Sequence, residues 1–114
     1  MALAWISAAC SPTPTEADAG ACPNDLPQAC PSNVPSYKNN VSSIIGDKCN
    51  ACHGDGGVAA SKFEFTSYAN VYAGRSSMLD QVYACRMPPA DASALTPDER
   101  AAMLAWFVCH APQN

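Results

Sequence analysis

This chain has few charged residues, few histidines and no long apolar run. Charged side chains make up 14% of its 114 residues, and 10 acidic against 6 basic ones give a net charge of −4 at pH 7. A nucleic-acid-binding surface needs an excess of Lys and Arg to meet phosphates, so this balance argues against nucleic acid as a partner. No stretch has the roughly 20 apolar residues that a membrane-spanning helix needs. The length suits a single domain.

Cysteine, by contrast, is abundant, with 7 residues in the chain. Cytosolic thiols are kept reduced, so this density indicates an oxidising compartment, a bound metal or a covalent cofactor. The first ten residues, MALAWISAAC, are apolar and end in small residues before Cys10. They resemble the end of a bacterial lipoprotein export signal, which implies export and a lipid on Cys10. The alternative is an N-terminus without function.

Proline-rich sequence follows the first ten residues and continues to about residue 36, with no periodic pattern. We therefore interpret residues 1–36 as a signal remnant and linker, and residues 37–114 as the folded domain. At the start of this domain, Val41, Ile44, Ile45, Cys49 and Cys52 recur at spacings of three and four. This pattern predicts a helix with CNACH, residues 49–53, on its last turn.

Three further elements follow. Alternating phenylalanines predict a short extended segment, and Thr66 or Ser67 can cap a short helix that ends at Gly74. RSSMLDQVYACR predicts another helix, which the prolines after Met87 end. Thr96, Pro97 and Glu99 provide an N-cap, a first-turn proline and a capping box for the last helix. The predicted fold is all-α, with three to four helices and long loops.

The CNACH sequence is compatible with three chemistries. A structural zinc site needs four ligands, usually from two such pairs, and there is only one pair. A thioredoxin-like dithiol lies at the start of a helix after a strand, whereas this pair is predicted at a helix end. Covalent haem fits directly, because Cys49 and Cys52 can form thioethers to the vinyl groups and His53 can ligate the iron. The favoured cofactor is one haem c.

A haem also needs a sixth ligand or an open position, and apolar walls. Met87 suits the first role because Pro88 holds its loop extended, and a thioether ligand raises the reduction potential. Met78 and Met103 have the helical spacing of core residues, and His110 suits a helix C-terminus. Apolar and aromatic residues are the candidates for the walls of the haem pocket, and without haem they would form an ordinary core. They are Ile45, Phe63, Phe65, Tyr68, Tyr72, Leu104, Trp106 and Phe107.

Residues 37–112 resemble a small bacterial class I cytochrome c domain. Three segments carry the resemblance in order, IIGDKCNACHG at 44–54, CRMPP at 85–89 and LTPDERAAMLAWFVCHAP at 95–112. The resemblance implies helices around one covalent haem, His53 and Met87 as axial ligands, and an N-terminal helix that crosses the C-terminal one. The extra cysteines depart from this pattern.

If Cys10 carries a lipid, four cysteines remain outside the haem pair. We expect disulfides Cys85–Cys109 and Cys22–Cys30, although four cysteines allow three connectivities and the sequence does not choose among them.

The expected function is one-electron transfer in the periplasm or at the outer face of a bacterial membrane, because an iron with two protein ligands has no open site. The expected partners are redox proteins with basic docking patches, and a lipid on Cys10 would tether the chain to a membrane. The alternative is a haem enzyme or sensor with an open sixth position. A haem domain of a larger assembly is a further possibility that the sequence does not separate from a free carrier.

Overall fold

A computed structural model of the chain describes residues 10, 22–54, 56–57, 60, 63–89 and 94–114. The expected export signal at residues 1–9 and the linker residues 11–21 lie outside this part. Within it, a π-helical turn at Tyr37–Val41 is followed by α1 (Ser42–Lys48), α2 (Asn50–His53), α3 (Tyr68–Ala73), α4 (Arg75–Tyr83) and α5 (Pro97–Val108). The described residues form no β-strand. The all-α prediction is therefore confirmed, but the described residues form five α-helices instead of the expected three to four. The class I cytochrome fold stays a prediction.

The helix predicted across the CNACH motif is divided into three pieces. The π-helical turn runs directly into α1, and Cys49 then separates α1 from the single turn of α2. The Cys49 carbonyl accepts hydrogen bonds from the backbone amides of both Cys52 and His53, at 3.2 and 3.0 Å. The motif therefore lies across a break between two short helices, not on the last turn of one helix as expected.

Helix α5 forms the centre of the core. Its residues 103–107 are all buried, and the Trp106 ring is fully buried with its Nε1–H donating to the Pro112 carbonyl at 2.9 Å. The ring also packs against Tyr37, with ring centres 5.7 Å apart. The apolar run of α5 therefore packs on several sides, as its composition predicts. The core cluster contains Val41, Ile44, Ile45, Phe65, Val71, Met78, Met103, Trp106, Phe107 and Ala111.

Local capping sets the ends of these helices as the sequence predicts. Ser67 caps α3 by accepting a hydrogen bond from the Asn70 amide, and Gly74 ends the helix. At α5, Thr96 accepts a hydrogen bond from the Glu99 amide while the Glu99 carboxylate accepts one from the Thr96 amide. Both helices thus begin on a side chain that satisfies an otherwise unpaired amide.

The N-terminal segment from Cys22 is attached to the helical part of the chain at several points. Disulfides join Cys22 to Cys85 and Cys30 to Cys109. All four cysteines expected in disulfides form them, but the expected pairs Cys85–Cys109 and Cys22–Cys30 are wrong. A Cys22–Cys30 bridge would close the segment on itself, whereas it extends across the ends of α4 and α5 and brings one cysteine to each.

No helix in the described part of the chain is both long enough and apolar enough to cross a membrane. The three disulfides of the structure are compatible with an extracytoplasmic protein.

Candidate functional site

The His53 ring contacts the backbone carbonyl of Phe63 and the ring of Phe65. Its Nδ1 lies 2.7 Å from the Phe63 carbonyl oxygen, and the Phe65 amide donates to the His53 carbonyl at 3.0 Å. The ring also packs against the Phe65 ring, with centres 4.8 Å apart. A carbonyl can only accept, so in neutral His53 the proton is on Nδ1 and Nε2 carries the free lone pair.

Two glycines allow the chain to turn tightly after His53. A Cβ on Gly54 would lie 2.5 Å from the Asn50 carbonyl oxygen, and one on Gly57 would lie 2.4 Å from the Cys52 carbonyl oxygen. Both contacts are too close for any residue with a side chain. Gly54 and Gly57 therefore let the backbone after α2 approach CNACH closely, and residues 63 and 65 contact His53 through their backbone.

The two cysteines of the motif are in different states. Cys49 is a free thiol, and burial raises its pKa to about 11. Cys52 is joined to Cys10. Each sulfur can form only one such bond, so a thioether at Cys52, or a lipid on Cys10, requires that this disulfide be absent. The haem and lipidation hypotheses for these two residues therefore apply to the form in which the disulfide is reduced.

The high pKa of Cys49 bears on the dithiol alternative. A thiol exchange catalyst attacks as a thiolate, and its pKa is normally lowered towards neutrality. Burial changes the pKa of Cys49 in the opposite direction, so little thiolate forms at neutral pH. The position of the pair, after α1 instead of after a strand, agrees with this. The arrangement does not favour a redox dithiol.

Lys48, the last residue of α1, connects this helix to the start of α5. Its Nζ donates to the Ala94 carbonyl at 2.9 Å and lies 3.5 Å from the Glu99 carboxylate. Glu99 is itself part of the capping box of α5. The end of α1 is thereby fixed against the start of α5, immediately before Cys49.

The predicted wall residues divide into core and surface. Ile45, Phe65, Leu104 and Trp106 are buried, and Phe107 joins the same core. Phe63 and Tyr72 are 40% and 38% exposed, and Tyr68 is partly exposed. A shallow cavity of about 250 Å³ opens beside Phe63, between it and α3. Near His53, the exposed Phe63 ring thus stacks on the buried Phe65 ring, which itself packs against the His53 ring.

The loop with Met87 begins directly after α4. The Gln81 carbonyl accepts hydrogen bonds from the amides of both Arg86 and Met87, at 2.9 and 3.1 Å. Met87 and Pro88 are partly exposed, whereas Met78 and Met103 are buried in the core. His110 is exposed in a left-handed conformation immediately after α5. Of the rival ligands, the two other methionines therefore have the packing expected of core residues.

The described residues contain no group of three or more His, Cys, Asp or Glu side chains arranged to hold a metal ion. No protein-family model, no curated protein and no solved structure matches this chain. The resemblance to cytochromes c therefore rests on its motifs.

Three features of the site could not be read from the sequence. The Phe63 carbonyl beside His53 and the Cys10–Cys52 disulfide join residues 10 and 42 positions apart, and no residue type in CNACH marks the division of the helix at Cys49. A hydrogen bond to a backbone carbonyl leaves no residue-type signal.

Proposed function

We propose that this protein is a one-electron carrier that holds one covalent haem c. The observation that carries the proposal is the hydrogen bond from His53 Nδ1 to the Phe63 carbonyl, directly after the CNAC cysteines. It leaves Nε2 free as a donor to iron, and a second partner on the other ring nitrogen is the usual way in which proteins orient a ligating histidine. Cys49 and Cys52 would bind the haem covalently, with His53 and Met87 as the axial ligands.

Bound haem would supply reversible one-electron oxidation and reduction of its iron. The chain's own residues perform the remaining tasks. His53 is restrained from rotating by its carbonyl partner and by the Phe65 ring, 4.8 Å away. The Met87 amide is fixed to the end of α4, at 3.1 Å from the Gln81 carbonyl. Ligands held by such contacts would keep the cost of reorganisation low when the charge of the iron changes, which suits an electron carrier.

The two histidines and Arg75 offer little for an enzyme. Of the two histidines in the chain, His53 is the proposed ligand and His110 is exposed at the end of α5. The guanidinium of Arg75 lies over the Tyr72 ring and donates to the Tyr72 carbonyl. The haem enzyme or sensor remains the alternative, and it requires that Met87 not be a ligand.

The proposal includes an extracytoplasmic location, periplasmic or attached to a membrane through a lipid on Cys10. Weakly bound redox proteins with basic docking patches would be its partners, since the chain carries a net charge of −4.

The test is covalent haem attachment in a bacterial host that matures c-type cytochromes. We expect the parent protein to gain the mass of one haem, which acid extraction does not remove. The double variant Cys49→Ala/Cys52→Ala should lose it. Cys10→Ser, which cannot form the disulfide to Cys52, is the matched control and should retain full haem content. A parent protein without covalent haem would contradict the proposal.

A further inference from the structure

Residues 22–30, the N-terminal strap, lie outside the region that resembles a cytochrome but contact its helices closely. The strap is disulfide-bonded at its first residue to Cys85 and at its last to Cys109. Between them, the Asn24 side chain accepts a hydrogen bond from the Tyr83 hydroxyl, and Asp25 binds Arg100. A linker would need none of these contacts. The strap has a structural task at the end of α4.

Arg100 joins the strap to α4 and α5. Its guanidinium binds the Asp25 carboxylate through two nitrogens, with Nε 3.0 Å and Nη2 2.8 Å from the two carboxylate oxygens. Nη1 donates to the Val82 carbonyl at 2.8 Å and Nη2 to the Tyr83 carbonyl at 3.2 Å. The Arg100 side chain is only 12% exposed. These are the last carbonyls of α4, where a cation is most favourable.

The same helix end positions Met87. Cys85 is left-handed, at φ 63°, and the amides of Cys85 and Arg86 donate back to Val82 and Gln81 in the pattern of a Schellman motif. A left-handed conformation is unfavourable for a residue with a side chain. At Cys85 the disulfide to Cys22 and the Arg100 contacts offset that cost. Met87 follows two residues later, and its amide donates to the same Gln81 carbonyl as Arg86.

We infer that Arg100, Asp25 and the Cys22–Cys85 disulfide form a clamp that positions Met87. Arg100 is a positioning residue, since it acts through the carbonyls at the end of α4. This inference rests on the proposed function, since it assigns to the strap the task of holding the axial methionine. It predicts that loosening a contact at the strap weakens ligation by Met87.

The experiment compares Arg100→Ala with Arg75→Ala in the haem-bound full chain. Arg75 is the matched control because it also donates to a backbone carbonyl, at 2.7 Å, but at the start of α4. Two quantities are measured: the affinity of the iron for added imidazole, which competes with Met87, and the hydrogen exchange rate of the Arg86 and Met87 amides. Weaker Met87 ligation raises the apparent imidazole affinity because more of the protein is open to the competitor.

In Arg100→Ala we expect imidazole affinity and amide exchange to rise by roughly tenfold each, and in Arg75→Ala by less than about twofold. Arg100→Lys, which keeps the charge but loses the paired contact, should recover part of the effect. Asp25→Asn keeps the Arg100 contacts to α4 and should give a smaller change in the same direction. It serves as the milder variant if Arg100→Ala does not fold.

Equal values in Arg100→Ala and Arg75→Ala, with Met87 ligation shown in the parent, would overturn this inference alone. A parent protein whose haem has no methionine ligand would overturn both the inference and the ligand assignment. Covalent haem attachment would stand in either case, because it depends on Cys49 and Cys52. The two failures are therefore distinguishable.

Discussion

The start of α5 and the end of α4 are both firmly held, but by different kinds of contact. At the start of α5, Thr96 and Glu99 satisfy one another's amides within four residues of chain. At the end of α4, the stabilising groups come from the strap and from α5, up to 63 residues away in sequence. A local cap can be lost with little effect elsewhere. A helix end held from a distance transmits its loss to every segment that meets there, including the Met87 loop.

The largest effect should follow removal of the disulfide at the end of α4. The Cys22–Cys85 bridge spans 63 residues, and a bridge that closes a loop of this length contributes about 4 kcal/mol through the unfolded chain. Cys22→Ser/Cys85→Ser should lower the free energy of unfolding, measured in urea, by roughly that amount.

The matched control is Cys30→Ser/Cys109→Ser, whose bridge spans 79 residues and meets α5 instead. We expect a similar loss of stability in this control, of about 4 kcal/mol, but exchange of the Met87 amide should increase only in the first variant. Equal hydrogen exchange rates of the Met87 amide in the two variants would show that the Cys22–Cys85 disulfide does not position the Met87 loop.

A smaller effect should follow removal of the local cap of α5. Thr96→Ala deletes the side chain that accepts from the Glu99 amide at 3.1 Å, and loss of such a cap costs about 1 kcal/mol. Thr66→Ala, on an exposed loop, is the control and should change stability by less than about 0.5 kcal/mol. Amide exchange should rise in the first turn of α5 and stay unchanged at Met87. If amide exchange at Met87 rose as much in Thr96→Ala as in Cys22→Ser/Cys85→Ser, the two helix ends would not differ in the way described.

The smallest effect is expected at the end of α5, which shares the hydrogen-bond pattern of the end of α4 but has two left-handed residues, His110 and Ala111, neither of them in a disulfide. His110 has φ 71° and is exposed, and the amides of His110 and Ala111 donate to Phe107 and Trp106. Glycine adopts this conformation without strain, so His110→Gly should raise the free energy of unfolding by about 0.5 kcal/mol. His110→Ala keeps the strain and should bring no gain, which thermal or urea unfolding can check.

These differences show which parts of the molecule the sequence could predict. The caps at Ser67 and Thr96 were readable because donor and acceptor lie three residues apart. The spacing of CNACH predicts haem attachment, which stays a prediction, but it did not reveal that the helix is divided at Cys49. The disulfide connectivity was not, because residue types do not reveal that the strap extends past α4 before it reaches α5. Arg100 likewise had no signal, since the partners of its side chain lie 15 to 77 residues away in sequence.

The central claim is that His53 and Met87 ligate a covalent haem, and the optical spectrum tests it most directly. Spectra of the oxidised and reduced parent would be compared with those of Met87→Ala, and with Met103→Leu as a control at a buried methionine. We predict a low-spin, six-coordinate haem in the parent and the control, and a high-spin haem that binds carbon monoxide readily in Met87→Ala. A parent that is already high-spin and reacts with carbon monoxide would contradict the assignment of Met87 and favour a haem enzyme or sensor.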